Sequence, residues 1–357
     1  MSAALIGPGG VWGRRLGHGL RGAGYQVQRT ALALASAAFM EVFHRLLRGT
    51  RDVPPVEQRA AVQRRFRALL ERDLANVEAG LYPARLLFQT GLRDYLKVLP
   101  QGVRDIPRVL RRAHRGDHAD LPPEVDLERF PRYYRRTFHW QTDGWLSEHS
   151  ASLYDPGVEL LFGGTADIMR RMVIPDLAAA LADTAHPHVL DLACATGRFL
   201  RQLRAAMPHA RLHGLDLSPH YIAHAQRALG DVEDLTLIAD NAEATPFTDA
   251  TFDAVTCMYL FHELPRDARR NVMAEAFRVL RPGGTFAILA SSQHHDGADM
   301  RWFLDAFPRF YHEPYYKGYV RDPLEAALAE VGFEVVDSRP AFVSKIVIAT
   351  KPAGPTT

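Results

Sequence analysis

One stretch of this 357-residue chain carries residue types suited to holding a charged, sugar-bearing ligand. Val189-Leu190-Asp191-Leu192 is a short apolar run around an acid, followed by the small residues Ala193-Cys194-Ala195-Thr196-Gly197 and then by Arg198-Phe199-Leu200. Small residues let a ligand approach the backbone closely. A helix starting after them offers free N–H groups and positive partial charge, which suit a pyrophosphate or a carboxylate. A second acid, Asp216, ends the run His213-Gly214-Leu215, 25 residues after Asp191. In a sheet with helical crossovers, an acid at the second strand end accepts hydrogen bonds from ribose hydroxyls. Three further signals follow in order: the polar turn Asp240 to Phe247, the run Thr251 to Met258 leading into Tyr259-Leu260-Phe261-His262-Glu263, and Leu280-Arg281-Pro282-Gly283-Gly284, a helix end with a glycine turn.

These residues need strand ends to hold them. The strand candidates are His188–Leu192, Arg211–Leu215, Leu235–Ala239, Ala254–Met258, Thr285–Ala290, Glu334–Ser338 and Phe342–Ala349, with helical stretches between most of them. Alternation of this kind predicts an α/β fold, a mostly parallel sheet covered on both faces. The last two candidates, joined at Arg339-Pro340, read as an antiparallel closing hairpin. Residues 1–150 read differently. Residues 1–30 are rich in Gly and Arg and read as loop; Gly7-Pro8-Gly9-Gly10 has no strand before it and carries no nucleotide-binding weight. Helical patterns run from Thr30 to Leu47, Val56 to Val77, Leu86 to Leu99 (stopping at Pro100) and Val103 to Ala113. Asp155 to Met172 reads as one entry helix. The expected division is a mainly helical region over 1–150, entry helices over 151–187 and a ligand-binding domain over 188–357.

Composition is that of a soluble globular protein, 47% hydrophobic and 24% charged. Cys194 and Cys257 give neither a disulfide framework nor zinc spacing. No run of about 18 apolar residues occurs, so no membrane-spanning helix is expected, Ala31 to Met40 being too short. The net charge of +2 divides into +9 over residues 1–150 and −7 over 151–357. A basic half can face anionic lipid, nucleic acid or an acidic partner, or simply solvate helix faces. A cytoplasmic protein, peripheral to a membrane if the basic half binds lipid, is the expectation.

The five signals in this order resemble the class I S-adenosylmethionine-dependent methyltransferases, most closely the ubiquinone/menaquinone-biosynthesis C-methyltransferase-like (methyltransferase type 11) branch. The resemblance covers residues 189–290 well and 291–351 loosely. It implies a Rossmann-like seven-stranded sheet with S-adenosylmethionine as methyl donor. It also implies that Asp191 and Ala193, Cys194, Ala195, Thr196 and Gly197 hold the methionine end, that Asp216 holds the ribose beside Leu217, that Asn241 and Ala242 meet the adenine, and that Met258 and Tyr259 lie near the sulfonium. The branch has glycines where this chain has Ala193 and Ala195. Alanine fits there if φ stays negative.

Four residues are candidates for moving a proton at the acceptor: His262, Glu263, His294 and Tyr315. His262 stands just past the fourth strand and has the pKa range for a phenolic or enolic proton; packing against the next helix is its competing role. His294, His295, Asp296 and Asp299 lack metal-ligand spacing, so no metal is expected. The aromatic run Phe307 to Tyr316 suits a flat or apolar acceptor pocket or ordinary packing. The leading expectation is a methyltransferase acting on a small apolar or aromatic acceptor, of quinone type or otherwise lipid-soluble. Against it stand a nucleic-acid methyltransferase using the basic half, disfavoured by Tyr259-Leu260-Phe261-His262 where an Asn/Asp-Pro-Pro-aromatic turn would stand, and a non-catalytic S-adenosylmethionine-binding regulator.

Overall fold

The structure, a computed structural model, describes residues 15–48, 54–89 and 92–354. Gly7-Pro8-Gly9-Gly10 lies outside them. The chain opens with helices α1 (Arg15–Arg48), α2 (Val56–Glu78), α3 (Leu92–Arg115), α4 (Glu148–Leu161), α5 (Ala166–Arg171) and α6 (Ile174–Ala180). It then alternates: β1 (His188–Leu192), α7 (Arg198–Ala206), β2 (Arg211–Asp216), α8 (Pro219–Ala228), β3 (Leu235–Ala239), β4 (Phe252–Met258), α9 (Arg266–Val279) and β5 (Leu280–Ser291). Helices α10 (Arg301–Phe310), α11 (Tyr316–Tyr319) and α12 (Leu324–Val331) lead to β6 (Glu334–Ala341) and β7 (Ser344–Thr350).

The seven strands form one sheet in the order β3-β2-β1-β4-β5-β7-β6. The first five pair in parallel and β7 runs antiparallel between β5 and β6. This is the expected Rossmann-like, mostly parallel sheet with a helical N-terminal region. Strand order reverses between β1 and β4, and in such sheets ligands bind in the crevice outside the carboxyl ends at that point. Apolar residues cover both faces. Leu69, Leu86, Leu200 and Ile346 belong to one buried cluster, and Val272, Phe286 and Leu328 to the other.

Five expectations are corrected. Residues 15–30 are helical, because α1 is a single helix whose Tyr25 and Arg29 are fully buried. The Arg29 guanidinium donates to the carbonyls of Leu87 and Gly164 at 2.6 and 2.9 Å. Within α1, Gly22–Leu47 is long and apolar enough to cross a membrane by length and composition, at mean hydropathy 1.3, and little of it is buried. The sequence reading missed it because short alanine-rich stretches interrupted by Arg29 and Glu41 add up without forming one apolar run. Its outward side exposes Val27, Leu34, Phe39, Val42 and Leu46.

Helix α3 runs through Pro100 and Pro107 to Arg115. Each proline lacks one donor, but packing on α1 and α4 overrides the propensity. The entry helix is broken into α4 and α5 at Gly163 and Gly164, both with positive φ. There the buried Glu159 carboxylate accepts the Asp167 N–H at 2.6 Å. Finally, Arg339 and Pro340 lie inside β6 and the hairpin turns at Phe342-Val343. β6 is an edge strand, the position in a sheet where a proline is tolerated.

The N-terminal helices are tied to the rest by a buried cluster. Asp73 of α2 accepts from the Arg171 Nε and the Tyr82 hydroxyl, each at 2.6 Å, and also from the Tyr25 hydroxyl. Both Asp73 and Arg171 side chains are fully buried.

Candidate active site

A cavity of about 730 Å³, including the mouth that opens to solvent, lies over the carboxyl ends of β1, β2 and β4. Ala193, Ala195, Leu215, Asp216, Leu217, Asn241, Ala242, Met258 and Tyr259 line one side. Eight of the twelve residues that the resemblance assigns to the methyl donor are therefore on its wall; Asp191, Cys194, Thr196 and Gly197 stand behind it.

The turn after β1 sets this wall. Ala193 and Ala195 have φ of +56 and +49°, so the alanines keep a left-handed backbone and the expected negative φ is not adopted. For an L-residue this region costs roughly 1–2 kcal/mol. Gly197, at φ +75°, caps α7, and a Cβ there would collide with the Leu229 side chain. Thr196 donates its hydroxyl to Asp155 of α4 at 2.8 Å. Cys194 is buried beside Gly214 of β2.

Asp216 holds the loop together. Its carboxylate accepts the Ala195 N–H at 2.9 Å and the Ser218 N–H at 2.8 Å. Burial pushes its pKa up to about 6, against the pull of those two bonds. Asp191 is 1% exposed and accepts from the Thr256 hydroxyl at 2.7 Å. Burial lifts its pKa to about 7. It props the turn from below.

The other side comes from the helical region and from the segment after β4. Tyr133, Tyr134, Trp145, Tyr154, Tyr221, Leu260, Glu263, Leu264 and Val272 complete the lining. The stretch 138–145 is held on several sides. Arg112 donates to the Trp140 carbonyl at 2.5 Å, and the Trp140 indole donates to the Phe310 carbonyl at 3.1 Å. Gln141 donates to the Tyr221 hydroxyl at 2.9 Å, and Ser218 donates to the Trp145 carbonyl at 2.6 Å. Within it His139, Trp140 and Asp143 have φ of +53, +61 and +64°. Strain of this kind persists only where surrounding contacts over-determine it.

The acid–base candidates separate. β4 ends at Met258, and Tyr259, at φ +64°, throws the chain into a 3₁₀ turn over Phe261–Glu263. That turn puts Glu263 on the cavity wall and His262 behind it. The His262 ring packs edge-on against Tyr316 and Tyr319 at 6.1 and 5.9 Å. Burial pushes its pKa down to about 4, and its Nδ1 has no hydrogen-bond partner. His294 meets Asp305 at 3.0 Å, and the Arg136 guanidinium lies over the Tyr315 ring at 5.5 Å; neither residue lines the cavity. The aromatic run Phe307 to Tyr316 does not line it either. Phe307, Tyr311 and Tyr316 pack on one another at 4.8 and 5.0 Å.

Two residues outside the sequence candidates join Glu263. His139 Nε2 lies 3.8 Å from a Glu263 carboxylate oxygen and bonds closely to Glu313. Burial, followed by the charges of Glu313 and Asp216, raises the Glu263 carboxyl well above the carboxylate range. The aromatic density around both residues was the only signal in the sequence: His139 lies between Phe138 and Trp140, and Glu313 between His312 and Pro314.

The site's residues fit S-adenosylmethionine: an acid at the second strand end faces the cavity, a turn without bulky side chains opens onto a helix start, and apolar residues flank both. Comparison with known proteins agrees. Residues 189–284 match the model of a family described as a methyltransferase domain. The ubiquinone/menaquinone biosynthesis C-methyltransferase of Methylobacterium nodulans is 33% identical over 44% of this chain and 62% of its own. The demethylmenaquinone methyltransferase of Thermotoga maritima is 39% identical over 28% and 42%. The malonyl-[acyl-carrier protein] O-methyltransferase of Geobacter sulfurreducens is 31% identical over 48% and 65%. The chain thus spans about 42–65% of the length of these relatives. With the strand order and the wall around Asp216 already in place, residues 189–284 are a methyltransferase domain of the class I, S-adenosylmethionine-dependent type.

Proposed function

We propose that the whole chain transfers a methyl group from S-adenosylmethionine to a small apolar or aromatic acceptor. The observation that carries this is the second wall. Tyr133, Tyr134, Trp145, Leu260 and Leu264 face the same cavity as the donor residues, and Glu263 is the carboxylate among them. Flat or apolar molecules gain most from such a lining. S-adenosylmethionine supplies an electrophilic methyl on a sulfonium, and the protein supplies position and exclusion of water.

In this reading Asp216 accepts the ribose hydroxyls, Leu217, Asn241 and Ala242 border the adenine, and the turn over Ala193 and Ala195 admits the methionine end. Met258 and Tyr259 floor the junction of donor and acceptor. Transfer breaks the carbon–sulfur bond, the electron pair stays on sulfur, and an acceptor lone pair forms the new bond. The proton the acceptor loses passes to water at the open mouth of the cavity, the donor side being occupied.

The test is untargeted mass spectrometry of lipid and polar extracts, incubated with the full chain and isotope-labelled methyl donor. One labelled apolar product supports the proposal. Donor binding in calorimetry without a labelled product in either extract would overturn it in favour of a regulator that only binds the donor. Label in nucleic acid would favour the polymer-directed reading.

A further inference from the structure

Nε2 of His139 and carboxylate oxygens of Glu263 and Glu313 all lie within 4.8 Å of one another. The Glu313 side chain is fully buried, and those of Glu263 and His139 are 11% and 19% exposed. Both carboxylates face the same imidazole nitrogen, which carries one proton at most and can satisfy one of them. The described ion pairs give neither glutamate an Arg or Lys partner. The second Glu313 oxygen, Oε2, is buried without any hydrogen bond. Two buried carboxyl groups and an imidazole converging on one point, with a Glu313 lone pair left over, form a donor set that a cation from outside the chain would complete.

A second cluster in the same protein shows how an internal cation resolves this. His295, Asp296 and Glu325 are equally close together, but the Lys345 ammonium sits among them, 2.7 Å from Asp296 and 2.6 Å from Glu325. No such ammonium is described at His139.

We propose that His139, Glu263 and Glu313 bind one divalent transition-metal cation beside the cavity. One imidazole with two carboxylates is a donor set for zinc or manganese rather than magnesium, which prefers oxygen alone. Three protein ligands leave coordination positions open, and Glu263 places them on the cavity wall. The cation's use rests on the methyl-transfer reading above: it would take an acceptor oxygen, which narrows the acceptor class to molecules with a hydroxyl or carbonyl next to the methylated atom.

The test uses the full chain stripped with a chelator and titrated with Mn²⁺ alone, followed by electron paramagnetic resonance and repeated with Zn²⁺ by calorimetry. The expected result is one site per chain, with nitrogen coupling from an imidazole. Glu313→Gln should weaken it by more than about 10-fold, as loss of a ligand does at least what loss of its supporting shell does, while His295→Ala leaves it unchanged. Should Glu313→Gln fail to fold, loss of the nitrogen coupling in His139→Ala together with its retention in His295→Ala decides in favour, and its retention in His139→Ala decides against. Absence of stoichiometric binding, or binding lost in His295→Ala and kept in Glu313→Gln, overturns the proposal. Donor affinity is measured in parallel on the same samples; its absence would break the methyl-transfer reading and leave the metal result to stand by itself.

Discussion

The wall carrying Ala193, Asp216, Asn241 and Met258 rests on strand register. β1 pairs with β2 and β4, so the ends of those strands come to one level and their side chains share one crevice. The wall carrying Tyr133, Tyr134 and Trp145 rests on a stretch with almost no regular structure, held by Arg112, Tyr221 and Ser218 and bent through several left-handed residues. The first wall is fixed by periodic hydrogen bonding between strands, with the Asp216 carboxylate tying the turn over Ala195 to the end of β2. The second is fixed by particular long-range bonds, each of them separately removable. One wall can keep its ligand while the contacts behind the other vary.

The largest expected effect tests whether the helical region has stability of its own. Asp73→Ala leaves Arg171 charged, buried and unpaired, and breaking a buried pair from one side costs about 3–5 kcal/mol. Chemical denaturation should show that loss; a midpoint unmoved would mean that α2 is held by apolar packing alone. Next comes Asp216→Ala, which takes away both the carboxylate proposed for the ribose and the acceptor of two backbone N–H groups. Donor affinity should fall by about 1–3 kcal/mol, or roughly fivefold to 150-fold. Calorimetry showing unchanged affinity would remove Asp216 from the donor site.

A pH titration sharpens the same point. The Asp216 pKa is raised to about 6, so above that pH the carboxylate is ionised and accepts hydroxyl bonds. As pH falls through 6 it takes up a proton that must leave before the donor binds. Affinity should drop by up to about tenfold per pH unit there and stay flat above about 7. A flat profile down to pH 5 would contradict the assignment. The smallest effect concerns the left-handed alanines. Ala193→Gly and Ala195→Gly relieve the backbone, less the extra freedom glycine gives the unfolded chain, and should each raise stability by about 1 kcal/mol or less. Equal or lower midpoints would show that neighbouring contacts already absorb the strain.

The difference between the walls also decides what could be seen in the sequence. Strand ends and their acids are local signals: apolar runs closing on Asp191 and Asp216 need no knowledge of the rest of the chain. The sheet was legible for that reason down to its closing hairpin, where Pro340 looked like a turn because nothing local marks β6 as an edge. Glu263 was among the candidates because it follows the fourth strand closely. His139 and Glu313 were not, since 174 residues separate them and only packing brings them together. Helix α3 was cut at Pro100 because the contacts that carry it onward lie on α1 and α4. The left-handed φ at Ala193 is likewise imposed by the loop's surroundings and goes against alanine's own preference.

The place of β7 bears on how the molecule is made. It is the last strand in sequence, yet it lies inside the sheet, pairing along Thr285–Ser291 of β5 on one side and with β6 on the other. As a ribosome releases the chain, β5 has to wait with a naked edge of seven residues until Ser344–Thr350 emerges. Such an edge is a template for any other extended chain nearby. Vectorial synthesis therefore leaves the parallel part of the sheet, site included, sticky until the final strand slides in, and a nascent chain stalled before residue 344 would be expected to require a chaperone.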